Sequence, residues 1–413
     1  MQLSPDEKRR LALRAGTVFS PAAPIRARDV FAGRTDQVRR TVDAINQSGQ
    51  HALIYGERGV GKTSLANVIA GFLESVGQTN IIAPHVNCDT TDTFSSIWRK
   101  ICRQIPLIRE RRGLGFKPDL DKEVLSLSEE MAEVMSPDDV LHAAELVSAQ
   151  HLFIPIIDEF DRLADRNAAR LLTDTIKCLS DQVSATTVVL VGVADTVEEL
   201  IDQHQSVERA LIQIRMPRMS DDELAQIIET GVGALQMTVT QEARDLITRL
   251  SKGLPHYTHL LALHGVREAI DGDSMELEVQ HVDGAIGKAI TDAQHTLQRA
   301  YHQATMSQRR DALYAQVLLA AALARTDDLG YFAAGDVRDP MSMIMGRRYD
   351  IPAFSPHLSQ FCESSRGPVL ERTGVPRRYR FRFRNPLLQP FVIMQGLSGG
   401  MLDKGDIDRF RSH

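Results

Sequence analysis

Residues 51–73 read HALIYGERGVGKTSLANVIAGFL. An apolar run suited to a strand, His51 to Tyr55, leads into Gly56-Glu57-Arg58-Gly59-Val60-Gly61-Lys62-Thr63-Ser64, which contains the phosphate-binding pattern G-x-x-x-x-G-K-[ST]. Glycines at 56, 59 and 61 let the backbone curl so that its N–H groups converge on phosphate oxygens. A side chain there would block the approach or demand a positive φ. The helix that follows adds the partial positive charge of its N-terminus. In such a loop Lys62 reaches the β- and γ-phosphates and the Thr63 hydroxyl ligates Mg²⁺. A glycine-rich turn can match the pattern by chance, but a strand before it and a helix after it are the context this chemistry needs.

Working downstream, LFIPIIDE at 152–159 is an apolar strand ending in two acids. A carboxylate at a strand end, Asp158, can hold Mg²⁺, and a second just past it, Glu159, can polarise an attacking water. An Asp-Glu pair alone means a solvated strand end. Its position 95 residues after Thr63, on the third of a series of strands, gives it the catalytic reading. The two motifs together predict ATP and Mg²⁺ as ligands and hydrolysis to ADP and phosphate.

Five strand candidates are His51–Tyr55, Asn80–Val86, Leu152–Ile157, Thr187–Val193 and Ala210–Met216, separated by helical stretches at 63–75, 92–105, 138–149, 166–183 and 195–204. Such alternation implies an α/β fold with a parallel sheet covered on both faces. TVVLVGV has the continuous apolar character of a strand buried on both sides. Pro155 is discordant, because it has no N–H for a central ladder, so a bulge or a register that spares it is expected. Upstream, 34–48 spaces Val38, Val42 and Ile45 at helical intervals from Thr35 or Asp36. Residues 1–30, polar and with prolines at 5, 21 and 24, read as an irregular lead-in. The nucleotide domain is then 31–218.

Residues 219–300 lack strong strand runs and read as a helical lid, opening on the capping box Ser220-Asp-Asp-Glu223, with further helices at Thr240–Leu250, Tyr257–Ile270 and Val279–Ala293. Residues 301–395 carry helices at about 310–325 and 334–346, and a short one starting at Ser355-Pro356. The strands Val369–Arg372 and Arg378–Arg384 follow, and the set suggests a winged helix with a tail at 396–413. The chain is 43% apolar and 25% charged with a net charge of −6, an ordinary soluble composition in which any basic surface must be local. Four widely spaced cysteines read as reduced thiols in a cytoplasmic protein. No apolar run approaches the length of a membrane helix.

In order, VFAGRTDQVRR, GERGVGKTS, IIDEFDRL, VERALIQIRMPRMSDDEL and KGLPHYTHLL resemble the AAA+ ATPases of the origin-recognition type (initiators and loaders), over roughly residues 19–390. The resemblance implies a sheet in the order 5-1-4-3-2, a helical lid with nucleotide beneath it, and a C-terminal winged-helix domain. It puts Phe31, Gly33 and Arg34 beside the adenine. Asp195 or Thr196 falls where the family has a polar sensor, often Asn, that orients water; an Asp there repels the γ-phosphate unless metal or Arg compensates. Arg209 falls where the family has an arginine finger for the neighbouring subunit's γ-phosphate; the alternative is a surface Arg in a salt bridge. His256 falls near the lid arginine. A neutral imidazole cannot replace a permanent guanidinium charge, so either that sensor is weakened or Arg244, Arg249 or Lys252 substitutes. His259 and His264 read as ordinary helix positions.

The stretch PRRYRFRFRNP at 376–386 alternates Arg378, Arg380, Arg382 and Arg384 with Tyr379, Phe381 and Phe383. On a strand this puts the arginines on one face and the aromatics on the core. Seven Arg, including Arg377, stand against one acid, Glu371, between 366 and 384. Such a ridge can lie along DNA phosphates, pair with acids of another domain or subunit, or be solvated. The expected protein is thus an ATP-driven switch that forms a homo-oligomer, with Arg209 acting in trans and double-stranded DNA or an effector protein on the winged helix. A phage-defence or mobile-element setting is an analogy. A nucleotide-gated scaffold with little turnover, or a replication initiator or helicase loader, would share these motifs.

Overall fold

The computed structural model describes residues 3–21, 32–75, 77–112, 120–182, 185–194, 209–307, 312–327, 329–376, 378–407 and 409. The helix expected at 195–204, with Asp195 and Thr196, lies outside these residues, as do Phe31 and Arg377.

The chain opens with a helix, α1 (Pro5–Val18), where an irregular lead-in was expected. The signal is local. Ser4 accepts from the Glu7 N–H, Glu7 reaches back to Ser4, and Pro5 occupies the first turn where no N–H is needed. α1 packs on later helices through Leu11 and Ala15.

β1 (His51–Gly56) sends alternate side chains into two cores. Ala52 and Ile54 join α2 (Thr35–Asn46) and α3 (Lys62–Ser75) on one face. Leu53 joins α4 (Phe94–Arg103), α5 (Pro137–Ser148) and α6 (Arg166–Gln182) on the other. With β2 (His85–Asn87), β3 (Ile156–Asp158), β4 (Val189–Val193) and β5 (Leu211–Arg215), it forms a five-stranded parallel sheet in the order β5-β1-β4-β3-β2.

The strands expected at Asn80–Val86 and Leu152–Ile157 are each broken in two. Ile81–Ile82 pairs with Leu152–Phe153 ahead of the β2–β3 pair. The breaks fall at Pro84 and Pro155. The Pro84 carbonyl accepts from the Ile156 N–H at 2.8 Å and the Pro155 carbonyl from the Val189 N–H at 2.9 Å. The sheet crosses the prolines by using only their acceptors.

The sequence reading assigned no element between α4 and α5. An antiparallel hairpin, Pro106–Arg112 with Leu120–Ser126, stands there, its register opposing Arg109 to Glu123, Glu110 to Lys122 and Arg111 to Asp121. Its strands alternate charge in place of apolarity, which hides the period-2 signal.

The region expected to be a lid holds the helices α7 (Asp221–Ala234), α8 (Gln241–Ser251), α9 (Pro255–Asp271) and α10 (Val279–Thr291), with Ser220 and Glu223 forming the expected box. α1 lies along α9 and α7. Beyond α11 (His295–Thr305) come α12 (Tyr314–Leu323), α13 (Ala334–Ile344) and α14 (Ile351–Gln360), a three-stranded sheet and α15 (Leu388–Ser398). The sheet runs β6 (Phe332–Ala333), β8 (Arg380–Phe383), β7 (Leu370–Thr373). α14 begins at Ile351, not at the expected Ser355-Pro356. Pro352 takes the first-turn position, and Pro356 forfeits the bond its N–H would make to the Pro352 carbonyl. Among the described residues no helix is long and apolar enough to cross a membrane.

Candidate nucleotide site

The loop after β1 turns on three positive-φ glycines, Gly56 at 149°, Gly59 at 87° and Gly61 at 95°. A Cβ on Gly56 would stand 2.4 Å from the Met216 carbonyl oxygen, so only glycine fits. Lys62 starts α3, and its Nζ donates to the carbonyls of Gly56 at 2.9 Å and Glu57 at 2.8 Å. Burial pushes its pKa down to about 8, against the pull of Asp161 and Asp158.

Asp158 ends β3, one strand over from β4, and is buried. Burial opposes its charge, but the facing His85 ring, the Thr63 hydroxyl and the Glu159 N–H outweigh this and hold its pKa below the usual carboxylate range. His85 Nε2 lies 3.4 Å from Asp158 Oδ2, and that oxygen accepts no hydrogen bond of good geometry among the described residues. Glu159 follows in the left-handed conformation, φ 53°, with its carboxylate 2.7 Å from Arg162 Nη1. Asp161 accepts the Val193 N–H at 2.7 Å, tying this turn to the end of β4.

These groups converge on a cavity of about 810 Å³ between the carboxyl ends of the strands and the lid. Its lining includes Arg34, residues 58–64, Asp158, Glu159 and Arg162 below, and Met219, Ile227, His256 and His259 on the lid side. Arg34 is 2% exposed; its Nη2 donates to the Val60 and Pro217 carbonyls and its own N–H to Glu223. Burial lowers its pKa to about 10. His256 Nδ1 lies 2.8 Å from the Pro21 carbonyl. A carbonyl only accepts, so Nδ1 carries the proton and Nε2 keeps its lone pair. Burial lowers this imidazole's pKa, so it stays neutral at pH 7. Arg244, Arg249 and Lys252, the alternatives to His256, do not line the cavity.

Glu57, expected at the ligand, turns away from the cavity. Its carboxylate takes a two-pronged ion pair from Arg218, Nε to Oε2 at 2.7 Å and Nη2 to Oε1 at 3.0 Å. Arg218 Nη1 also donates to Gln389 Oε1 at 2.6 Å. Gln389 lies on α15, whose leading residue Leu387 lines the cavity and packs on Gly59, while its carbonyl accepts from the buried Tyr257 hydroxyl at 2.7 Å. α15 is thus in contact with the phosphate loop. Sequence reasoning missed Arg218, Arg162, His85 and this contact. Arg218 lies in the quoted MPRMSDDEL, but nothing local pairs it with Glu57, 161 residues away.

Arg209 is exposed, at the start of β5 and so at the edge of the sheet opposite the phosphate loop. It is not brought to the cavity of its own chain. The arginine ridge is half neutralised. Arg382 sits opposite Glu371, its Nε donating to Oε1 at 2.6 Å, and Arg380 pairs with Asp327 at 2.9 Å. Of the alternatives open for this ridge, pairing with acids holds for two of its arginines, because Glu371 lies directly across the ladder from Arg382 and Asp327 meets Arg380. Arg378 and Arg384 remain exposed, and Phe381 and Phe383 pack on Phe332 as expected.

A loop whose N–H groups curl at the end of a parallel strand, with a lysine at the head of the next helix and a buried carboxylate against its Thr63, defines a P-loop NTPase. The family model described as nSTAND1, Novel STAND NTPase 1, matches residues 24–329, and the chain belongs to this family. None of the curated proteins compared matches the sequence. Among solved structures, the chain is similar to Cdc6p from Pyrobaculum aerophilum at 14% identity and a TM-score of 0.46, over 94% of this chain and 99% of that one. It is similar to the Orc1 protein of Aeropyrum pernix in complex with DNA at 15% and 0.47, over 94% and 98%. It is also similar to the Thermotoga maritima RuvB Holliday junction branch migration motor at 14% and 0.45, over 88% and 95%.

Proposed function

We propose that this NTPase is an ATP-binding and hydrolysing switch of the AAA+ type, whose nucleotide state sets the position of its C-terminal domain. The observation that carries this reading is the contact of α15 with the phosphate loop: Arg218 bridges Glu57 to Gln389, and Leu387 packs on Gly59. A nucleotide entering the loop displaces Lys62 from the Gly56 and Glu57 carbonyls, beside the contact that α15 makes.

In this reading Lys62 leaves the Gly56 and Glu57 carbonyls for the β- and γ-phosphates, and the N–H groups of the loop surround them. Thr63 and the buried Asp158 oxygen are hard donors suited to Mg²⁺, which when bound neutralises charge on the phosphate oxygens. Glu159 leaves Arg162 to accept a proton from water. The water oxygen bonds to the γ-phosphorus as the bond to the β–γ bridging oxygen breaks, and ADP departs. Arg209, distant from its own cavity, suits a role toward a neighbouring subunit's γ-phosphate in a homo-oligomer.

The C-terminal domain is the proposed binding module for double-stranded DNA or an effector protein, with Arg378 and Arg384 as phosphate contacts. A cytoplasmic phage-defence or mobile-element role is consistent with such a switch. The second reading is a nucleotide-gated scaffold with little turnover, favoured by the Glu159–Arg162 pair and the neutral His256.

The test is ATP turnover of wild type and Glu159→Gln across protein concentration, with and without duplex DNA. Turnover per subunit that rises with concentration and vanishes in Glu159→Gln supports the oligomeric switch. Flat, near-zero turnover with tight ATP binding supports the scaffold, and absence of ATP binding overturns both.

A further inference from the structure

The lid side of the cavity holds a polar group that the chemistry above does not use. His259 is 5% exposed, lines the cavity, and has neither ring nitrogen hydrogen-bonded among the described residues. A buried polar group without a partner is costly, and native proteins satisfy nearly all of them, so a persistent orphan facing a cavity calls for a ligand atom.

The ring is held firmly. Phe19, fully buried, stands edge-on to it at 6.1 Å and 64°. Phe19 in turn fills the space that a side chain at Gly231 would occupy: a Cβ there would stand 2.2 Å from the Phe19 ring. His256 lies three residues earlier on the same helix and so on the same face. Beside the two imidazoles, Met219, Leu224 and Ile227 pack with Ala32 in a small apolar cluster of their own, and Met219, Ile227 and Ala32 line the cavity. The same cavity is lined by Lys62, Thr63 and Asp158. An apolar wall with one or two polar atoms, in a cavity shared with a phosphate loop, is what a nucleobase requires.

We infer that His259 is a specificity-determining residue that hydrogen-bonds the polar edge of the purine base, while the Met219–Ile227–Ala32 wall takes its face. This rests on the nucleotide reading of the cavity. Burial, with the neighbouring His256 second, lowers the His259 pKa to about 4, so the ring is neutral and offers one N–H and one lone pair. Adenine presents matching groups, an exocyclic amine that donates and ring nitrogens that accept. A base without those atoms leaves the imidazole unsatisfied, which is how a buried polar contact discriminates.

The test is calorimetric binding of ATP, purine riboside triphosphate (no 6-amino group), 7-deaza-ATP and 1-deaza-ATP to the full chain. Wild type, His259→Phe, His259→Gln and Lys62→Ala are compared, with unchanged circular dichroism as the condition for each. His259→Phe keeps the ring against Phe19 and removes the nitrogens; His259→Gln keeps a donor and an acceptor if the aromatic change disturbs the lid. The expected result is that wild type binds at least one analogue about fivefold to tenfold more weakly than ATP. His259→Phe then binds ATP as weakly as that analogue and no longer distinguishes the two. Unchanged ATP affinity in His259→Phe, a wild type indifferent to every analogue, or discrimination that persists in the variant overturns the inference. Equal ATP binding by Lys62→Ala and wild type would instead overturn the nucleotide reading beneath it.

Discussion

Replacing Glu57 by Gln should loosen the C-terminal domain from the phosphate loop. The Arg218 and Glu57 side chains are 14% and 10% exposed and share two short hydrogen bonds. Neutralising one partner strands the other's charge in a dry site, which typically costs about 3–5 kcal/mol. Gln389 and the Lys252 carbonyl still accept from Arg218, so the lower end applies. At 1.36 kcal/mol per decade, about 3 kcal/mol shifts the docked-to-undocked ratio roughly 100-fold. The domain lifts because that hydrates Arg218 at less cost than keeping it buried. Hydrogen exchange of the α15 amides is the assay, and they should exchange up to about 100-fold faster in Glu57→Gln. The double variant Glu57→Gln/Arg218→Met removes the stranded charge and should recover most of the protection. Unchanged α15 exchange in the single variant, or equal loss in single and double variants, would refute the reasoning.

Lys62→Ala should abolish ATP binding. In wild type the affinity should fall above about pH 8: the free enzyme's Lys62 loses its proton there, while bound phosphates hold it on, so binding must take up a proton; titration calorimetry at pH 7 and 9 checks both. Arg378→Glu with Arg384→Glu should weaken duplex DNA binding and flatten its salt dependence without altering the fold. Arg382→Gln should instead destabilise the domain by about 1.5–3 kcal/mol by stranding Glu371, read by urea unfolding. His51 is fully buried, its Nδ1 accepts the Val188 N–H, and burial lowers its pKa to about 4. The unfolded chain therefore binds a proton that the folded one refuses. Stability is complete above about pH 6.5 and falls toward pH 4, by on the order of 2 kcal/mol at pH 5, and His51→Leu should remove that part of the pH dependence of the urea midpoint. Gly231→Ala should expel Phe19 and cost about 1–3 kcal/mol, seen as faster amide exchange in α1.

The phosphate loop and the acid pair were legible because each is local: loop geometry, strand and helix occupy one run of residues. The parallel sheet followed from alternation of apolar segments, and Pro155 flagged the break in one strand, whereas the break at Pro84 in the other was not anticipated. What escaped reading was of two kinds. α1 was hidden by polarity, although Ser4 and Glu7 spelled a capping box. The hairpin at 106–126 was hidden because its strands are written in charged residues, without the alternation of apolar and polar positions that marks a strand. The Glu57–Arg218–Gln389 contact and the His85 partner of Asp158 join positions by tertiary packing alone, and no spacing rule reaches them, whereas Arg162 meets Glu159 at the local i,i+3 spacing. The arginine ridge is instructive in a different way. Its alternation was read correctly, but Glu371, counted as a lone acid in a basic stretch, lies opposite Arg382 in the ladder and takes its charge.

The fastening of α1 has a practical corollary. Lys8 pairs with Asp273 at 2.9 Å, Arg14 donates to the Ala234 carbonyl at 2.6 Å, and Phe19 plugs the gap beside Gly231. The helix therefore has no rotation of its own and turns when the lid turns. Leu13, 70% exposed on its outer side, is remote from the cavity lining. A fluorophore there, paired with one on the outer face of α6, would be a pointer on a dial: under the proposed switch, the energy transfer between them should change from one nucleotide to the next.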